Sequence, residues 1–233
     1  MAIDGSQDTA PSRTAAQGRS QLAALRWGWR VASQWLRRRL GLPVHMQTAD
    51  RLMLEQCILP YYAARPDMRS VLFVGVGWYT VRYESLLAGR RYTTLDIDPH
   101  VARHGSRQRH VTGSVVDAAK LFQPGEFDLI VFNGVFGWGL NARADTNATL
   151  RGFRQLLRPG GELVVGWNDV PRYRPFSFSS CEALKDFEPV VLPPLGSAVV
   201  QLVTDNRHRY EFYRRPLPVV TPAAGNHCCR SMR

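Results

Sequence analysis

The sequence predicts an α/β fold built on a mostly parallel sheet with helices on both faces, and three observations carry that reading. Short apolar runs at Val71–Val74, Tyr92–Ile97, Phe127–Phe132 and Leu163–Trp167 alternate with stretches of helical character. Two of the runs end in turn chemistry, Gly75-Val76-Gly77 and Asp98-Pro99, which suits the passage from a strand into a helix. The 233 residues, 45% of them hydrophobic, suffice for one well-buried core and are too few for two full domains.

The elements follow in order. Residues 1–20 are poor in large apolar side chains and read as a disordered tail, because they bury too little to offset the entropy of ordering. Residues 21–66 read as a basic, amphipathic helical segment. Leu22, Leu25, Trp29, Ala32 and Leu36 keep helical spacing with Arg26, Arg30, Arg37, Arg38 and Arg39 between them, and Gly41 and Pro43 stop the helix. A second helix is expected from Thr48 to about Leu59, ended by Pro60. The sheet domain spans 67–216. Its first strand leads into a helix-like stretch through Leu87; His110–Thr112 is a weaker third strand; Ala148–Leu157 reads as a helix; and Pro159-Gly160-Gly161 turns into the fifth strand. Val199–Val203 and Tyr210–Tyr213 flank Asp205-Asn206 as a hairpin at the sheet edge. Residues 217–233 read as a second disordered tail.

Charge separates the ends from the body. The net charge is +11, of which residues 1–45 hold +5 and residues 207–233 hold another +5, leaving +1 over the 161 residues between. A nucleic-acid enzyme more often carries a basic stripe on the body itself, so nucleic acid is an unfavoured partner. The four cysteines, Cys57, Cys181, Cys228 and Cys229, have no metal-ligand spacing, and no metal site is expected. No cleavable leader and no run of roughly 18 apolar residues is visible, so a cytoplasmic protein with reduced thiols is the simplest expectation. Residues 21–40 combine Trp and Arg in a way that fits peripheral contact with an anionic membrane, against the plainer reading of a helix packed on the domain.

The candidate site lies beyond the carboxyl ends of the strands, where such sheets bind ligands. Gly75 and Gly77 let backbone approach a ligand closely. Asp96, 21 residues beyond Gly75 at the end of the next strand, is spaced to accept hydrogen bonds from both hydroxyls of a ribose, while Asp98 reads as a helix cap.

The ordered segments Val71-Leu72-x-x-Gly75-x-Gly77, Asp96-x-Asp98-Pro99, Phe127-Asp128-Leu129-Ile130 and Leu156-Leu157-Arg158-Pro159-Gly160-Gly161 resemble the motifs of class I S-adenosylmethionine-dependent methyltransferases. The closing hairpin is similar to the antiparallel last strand of that family, and stretches such as Gly166-Trp167-Asn168-Asp169 look like a bacterial methyltransferase-domain subgroup of unassigned substrate. The resemblance implies a Rossmann-like, doubly wound, seven-stranded sheet, S-adenosyl-L-methionine as cofactor and a small-molecule acceptor. It implies cofactor contacts for Gly75, Gly77, Asp96, Ser114, Val115 and Asn133, with Ser114 standing where an acidic residue near the adenine amine is frequent. Asn133 falls where the family lines the methyl-transfer site. Phe73 and Tyr79 depart from the pattern, replacing a frequent acidic residue and a frequent third glycine.

Methyl transfer depends mainly on positioning, but an oxygen or nitrogen acceptor can call for a base. Asp169, after the fifth strand, ranks first, ahead of His100 in a first helical turn and His208 on the hairpin surface. Trp167, Tyr61 and Tyr62 read as core aromatics, whereas Trp138, between Gly137 and Gly139, reads as a loop aromatic able to line a pocket. Two other functions fit the glycines and the carboxylate: a non-catalytic cofactor-binding or scaffold protein, and an NAD(P)-dependent dehydrogenase.

Overall fold

A computed structural model describes residues 48–218, which lie within one unit of the chain, Gln47–Arg233. The expectations for residues 1–20, for the basic helix at 21–40, for Cys228 and Cys229 and for the end of the C-terminal tail fall outside the described residues.

Eight strands form one sheet: β1 (Ser70–Val74), β2 (Arg91–Asp96), β3 (Arg109–Thr112), β4 (Phe127–Asn133), β5 (Leu157–Asn168), β6 (Glu188–Pro189), β7 (Val199–Gln201) and β8 (His208–Arg214). Seven lie in the order β3-β2-β1-β4-β5-β8-β6, and β7 pairs with the same edge of β8 as β6. The first five strands are parallel and β8 is antiparallel to β5. The expected mostly parallel sheet is therefore present, with eight strands where seven were expected, the short β7 completing the hairpin. Strand order reverses between β1 and β4, and a ligand crevice opens at such a switch point.

The central strands are buried on both faces, which is why they read as unbroken apolar runs. Val71, Phe73, Val131 and Val164 point to one face, against Leu54, Ile58 and Tyr62. Leu72, Val74, Ile130, Phe132 and Val165 point to the other, against Leu150, Phe153 and Leu156. The first layer comes from the helical segment 49–64 (α1). The second comes from Arg143–Leu156 (α4), which begins five residues before the expected Ala148 and passes directly into β5.

Two helices differ from expectation for local reasons. Pro60 does not end α1, which continues to Ala64. The turn before it, Leu54–Ile58, is a π-helix, and Leu59 N–H donates to Leu54 O. Widening that turn moves away the carbonyl four residues back that the proline ring would strike. After β1 the helix-like stretch shrinks to one turn, Tyr83–Leu86 (α2). The Thr80 hydroxyl donates to Gly77 O at 2.9 Å and accepts from Gly77 N–H at 3.2 Å, closing a local turn that competes with helix. Ala118–Leu121 (α3) is likewise a single turn.

Candidate functional site

A cleft of about 240 Å³ opens at the carboxyl ends of β1, β2 and β3, lined by Gly75, Asp96, Ile97, Ser114, Val115 and Leu140 among others. Gly75 has φ +94°, and a Cβ there would come within 2.7 Å of the Asn133 carbonyl oxygen, so only glycine brings β1 this close to β4. Asp96 is anchored twice. One carboxylate oxygen accepts from Val76 N–H at 2.7 Å and the other from Asp98 N–H at 2.9 Å. Each oxygen keeps a second acceptor direction for a ligand. Ile97, the next residue, is 70% exposed beside the cleft, and Val115 is buried on its wall.

Asp98 caps the following turn, accepting from His100 N–H at 2.8 Å, and Ser114 Oγ accepts from Val116 N–H at 3.2 Å as the cap of the turn holding Val115. Asp117 faces away into an ion pair with Lys120 at 2.7 Å. Phe73 is fully buried against Tyr83, with ring centroids 5.1 Å apart, and is a core residue. Tyr79 lies over Gly77: a Cβ at Gly77 would meet the Tyr79 ring at 2.7 Å, and the Arg51 guanidinium stands 4.0 Å from that ring's centre.

Asn133 and Asp169 stand at the ends of β4 and β5. Asn133 is 3% exposed, and its Oδ1 is buried without a hydrogen-bond partner. The Asp169 carboxylate accepts from Arg174 at 2.8 Å. Trp138 is exposed and stacks on Tyr173, with centroids 4.3 Å apart, whereas Trp167 packs in the core against Phe136 and Phe178.

His208 corrects the expectation of a surface residue. It is 5% exposed, because β8 alternates and His208, Tyr210 and Phe212 share the face under α1. That period-two pattern is visible in the sequence and would have placed His208 inside. Its Nδ1 donates to Asn168 Oδ1 at 2.7 Å, and its Nε2 is buried with no partner. Burial pulls its pKa down to about 4, with Asp50 acting upward and Arg51 downward. Composition and spacing also gave no notice of Arg51, which donates to Tyr83 OH at 2.8 Å, or of Tyr210, whose hydroxyl donates to the Asp50 carbonyl at 2.9 Å. Among the described residues no group of three or more His, Cys, Asp or Glu side chains could hold a metal ion, and no helix is long and apolar enough to cross a membrane.

The methyltransferase-domain family matches residues 74–163, from the end of β1 into β5. Two curated relatives, the ubiquinone/menaquinone biosynthesis C-methyltransferases UbiE of Shewanella frigidimarina and Shewanella sediminis, are 27% and 28% identical over 160 and 166 residues. Each match covers 64% of this chain, which spans 59% of the relatives' length. Among solved structures, the N-methyltransferase NodS from Bradyrhizobium japonicum in complex with S-adenosyl-L-homocysteine is 17% identical, with a TM-score of 0.57 over 73% of this chain and 89% of that one. That likeness is one of fold.

Proposed function

We propose that the chain is a class I S-adenosylmethionine-dependent methyltransferase and transfers a methyl group from S-adenosyl-L-methionine to a small-molecule acceptor. The observation that carries the reading is Asp96 at the mouth of the cleft beside Gly75, with acceptor capacity left on both oxygens. A ribose diol presents two O–H donors to such a carboxylate, and charge-assisted hydrogen bonds of this kind are strong. The residues fit the rest of the nucleoside too. Ile97 and Val115 offer apolar walls to a flat base, and Ser114 lies at its edge. Gly75 and Gly77 pass beneath the remainder of the cofactor, with the Tyr79 ring as cover over Gly77.

When bound, the cofactor supplies an electrophilic methyl carbon on a sulfonium. The chain's part is to hold that carbon in line with the acceptor and to keep water away, and positioning of this kind can supply most of the acceleration. Asn133 and Asp169, at neighbouring strand ends, line the transfer side in this reading, with the Asp169 carboxylate accepting from Arg174. Nothing in the comparisons supports the dehydrogenase or the scaffold. Residues 21–40 are proposed as a peripheral contact with anionic membrane from a cytoplasmic location, on their Trp and Arg composition.

Calorimetry with S-adenosylhomocysteine and with NAD tests the assignment. Binding of the first and not the second is expected, and the reverse overturns it. Turnover of S-adenosylmethionine to S-adenosylhomocysteine with cell extract, followed by mass spectrometry, then identifies the methylated product.

A further inference from the structure

Three buried polar atoms without hydrogen-bond partners gather at one end of the sheet, on the face under α1: Asn133 Oδ1, His208 Nε2 and Arg51 Nε. Strand register explains why the first two are neighbours. Asn133, Gly166 and Tyr210 lie side by side across β4, β5 and β8, and Asn168 pairs with His208 two residues further on. Gly166 has no side chain, so the Asn133 amide leans across it toward the Tyr210 ring. The Tyr210 ring in turn lies 4.7 Å from that of His208. From α1, Arg51 has its Nε 3.9 Å from the Asp50 carboxylate, and the Asp50 carbonyl holds Tyr210. Buried polar groups are nearly always paired, and a cluster of orphans on one wall marks a place a ligand completes.

We propose that this wall is the methyl-acceptor subsite and that His208 Nε2 takes the proton of a hydroxyl-bearing acceptor. The proposal rests on the methyl-transfer reading above and names the chemistry of its acceptor. Its tautomer follows from one contact: Asn168 Oδ1 can only accept, so Nδ1 carries the hydrogen and Nε2 presents a lone pair. As the acceptor oxygen bonds to the methyl carbon, the carbon–sulfur pair stays with sulfur, leaving S-adenosylhomocysteine. The hydroxyl proton passes to Nε2, giving an imidazolium that Asn168 still accepts from and that later releases the proton to solvent.

The unpartnered lone pair at His208 Nε2 suits an acceptor that must lose a proton as it is methylated. The groups that face His208 are Asp50 and Arg51 from α1, Asn168 from β5 and Tyr210 beside it on β8, and burial outweighs Asp50 to leave it neutral near pH 7. A methylated hydroxyl is an oxonium, a far stronger acid than imidazolium, so even this base removes its proton. A neutral amine is methylated without any base, so the free lone pair has a task with a hydroxyl that it lacks with an amine. Asn133 Oδ1, also unpartnered, offers a second acceptor for a donor on the same small molecule.

The test uses the full chain labelled with nitrogen-15 at histidine, with phenol as hydroxyl probe and anisole as its methyl ether. The His208 Nε2 resonance is expected at an unprotonated position from pH 5.5 to 8, to move on addition of phenol, and to stay with anisole. In His208→Gln, phenol affinity is expected to fall at least tenfold while S-adenosylhomocysteine affinity changes less than twofold. A protonated Nε2, no response to phenol, or an equal response to anisole overturns the proposal. Loss of S-adenosylhomocysteine binding in the unmodified protein instead sinks the methyl-transfer reading, and the two failures are told apart because the probes are separate.

Discussion

The side chain of Asn133 occupies the space that a side chain on Gly166 would need: a Cβ at 166 would stand 2.0 Å from Asn133 Oδ1 and 2.9 Å from a Tyr210 ring carbon. The two residues are partners in the β4–β5 register, so the glycine sets where the amide points. Gly166→Ala is therefore expected to displace Asn133 and destabilise the fold by about 1–3 kcal/mol, as overpacking of a close-packed core does. Urea unfolding measures it. A stability within 0.5 kcal/mol of the parent protein, roughly the size of a neutral surface change, would show that Asn133 has room elsewhere.

Asp96→Ala removes the carboxylate proposed to hold the ribose and also frees Val76 N–H and Asp98 N–H. S-adenosylhomocysteine affinity is expected to fall by about 1.5–3 kcal/mol, the range for hydrogen bonds to a charged group, which is roughly 10- to 150-fold. Calorimetry reads this directly. Asp96→Asn keeps one oxygen acceptor and is expected to fall between the two.

The parts of the fold that were legible are those whose cause is local. Val71–Val74 and Phe127–Phe132 announce buried strands because both faces are covered, and Asp98-Pro99 announces a capped turn because the cap lies two residues from its donor. The motif around Asp128 was legible as a family signature, but its physical job was not. Its carboxylate accepts from Arg69 and Ser70 N–H, both at 2.8 Å, and pairs with Arg158, tying the start of β1 to the Arg-Pro-Gly-Gly turn. Spacing also misled at Pro60, where a π-turn three-dimensionally accommodates a residue that usually ends a helix.

The candidate cleft was legible along single strands and not across them. Gly75, Asp96 and Val115 can each be read from the strand or turn they follow, and all three line the cleft. The contacts of Arg51 with Tyr79 and of Asn133 with Gly166 depend on how α1 lies on the sheet and how β4 registers on β5, which no local pattern encodes.

Glu162 separates structural from functional carboxylates. It is fully buried in β5, where it accepts from Arg65 at 2.8 Å, Tyr62 OH at 2.9 Å and Arg214 at 3.0 Å. Glu162→Ala leaves the buried Tyr62 hydroxyl without its acceptor beside two partly exposed arginines, and a cost of about 1–3 kcal/mol is expected from the unsatisfied buried group. Chemical denaturation should show that loss. S-adenosylhomocysteine binding by the folded fraction should persist, because the proposed cofactor cleft lies at the opposite ends of the strands.

Gly77→Val tests the cover over the glycine turn. The new side chain collides with the Tyr79 ring and, through it, with the Arg51 stack. At least tenfold weaker S-adenosylhomocysteine binding with a folded protein is expected, since the displaced ring is pushed out over the glycine turn. Tyr79→Ala opens the same space and is expected to leave binding within about threefold. If Gly77→Val binds as the parent protein does, the cofactor does not cross this turn.

Stability should depend on pH through His208. Burial lowers its pKa from the ordinary 6.5 to about 4, so between these values the unfolded chain binds a proton that the folded chain refuses. The unfolded state is then favoured as pH falls, and the contribution to stability, complete above pH 6.5, is lost progressively down to pH 4. A shift of this size corresponds to about 3 kcal/mol, at roughly 1.36 kcal/mol per unit. Stabilities from urea unfolding at pH 7.5 and pH 4.5 should therefore differ by about 2–3 kcal/mol from this group, and the His208→Gln protein should lose that part of the slope. An unchanged slope in the variant would place the acid sensitivity in other groups and would mean that water reaches the imidazole in solution.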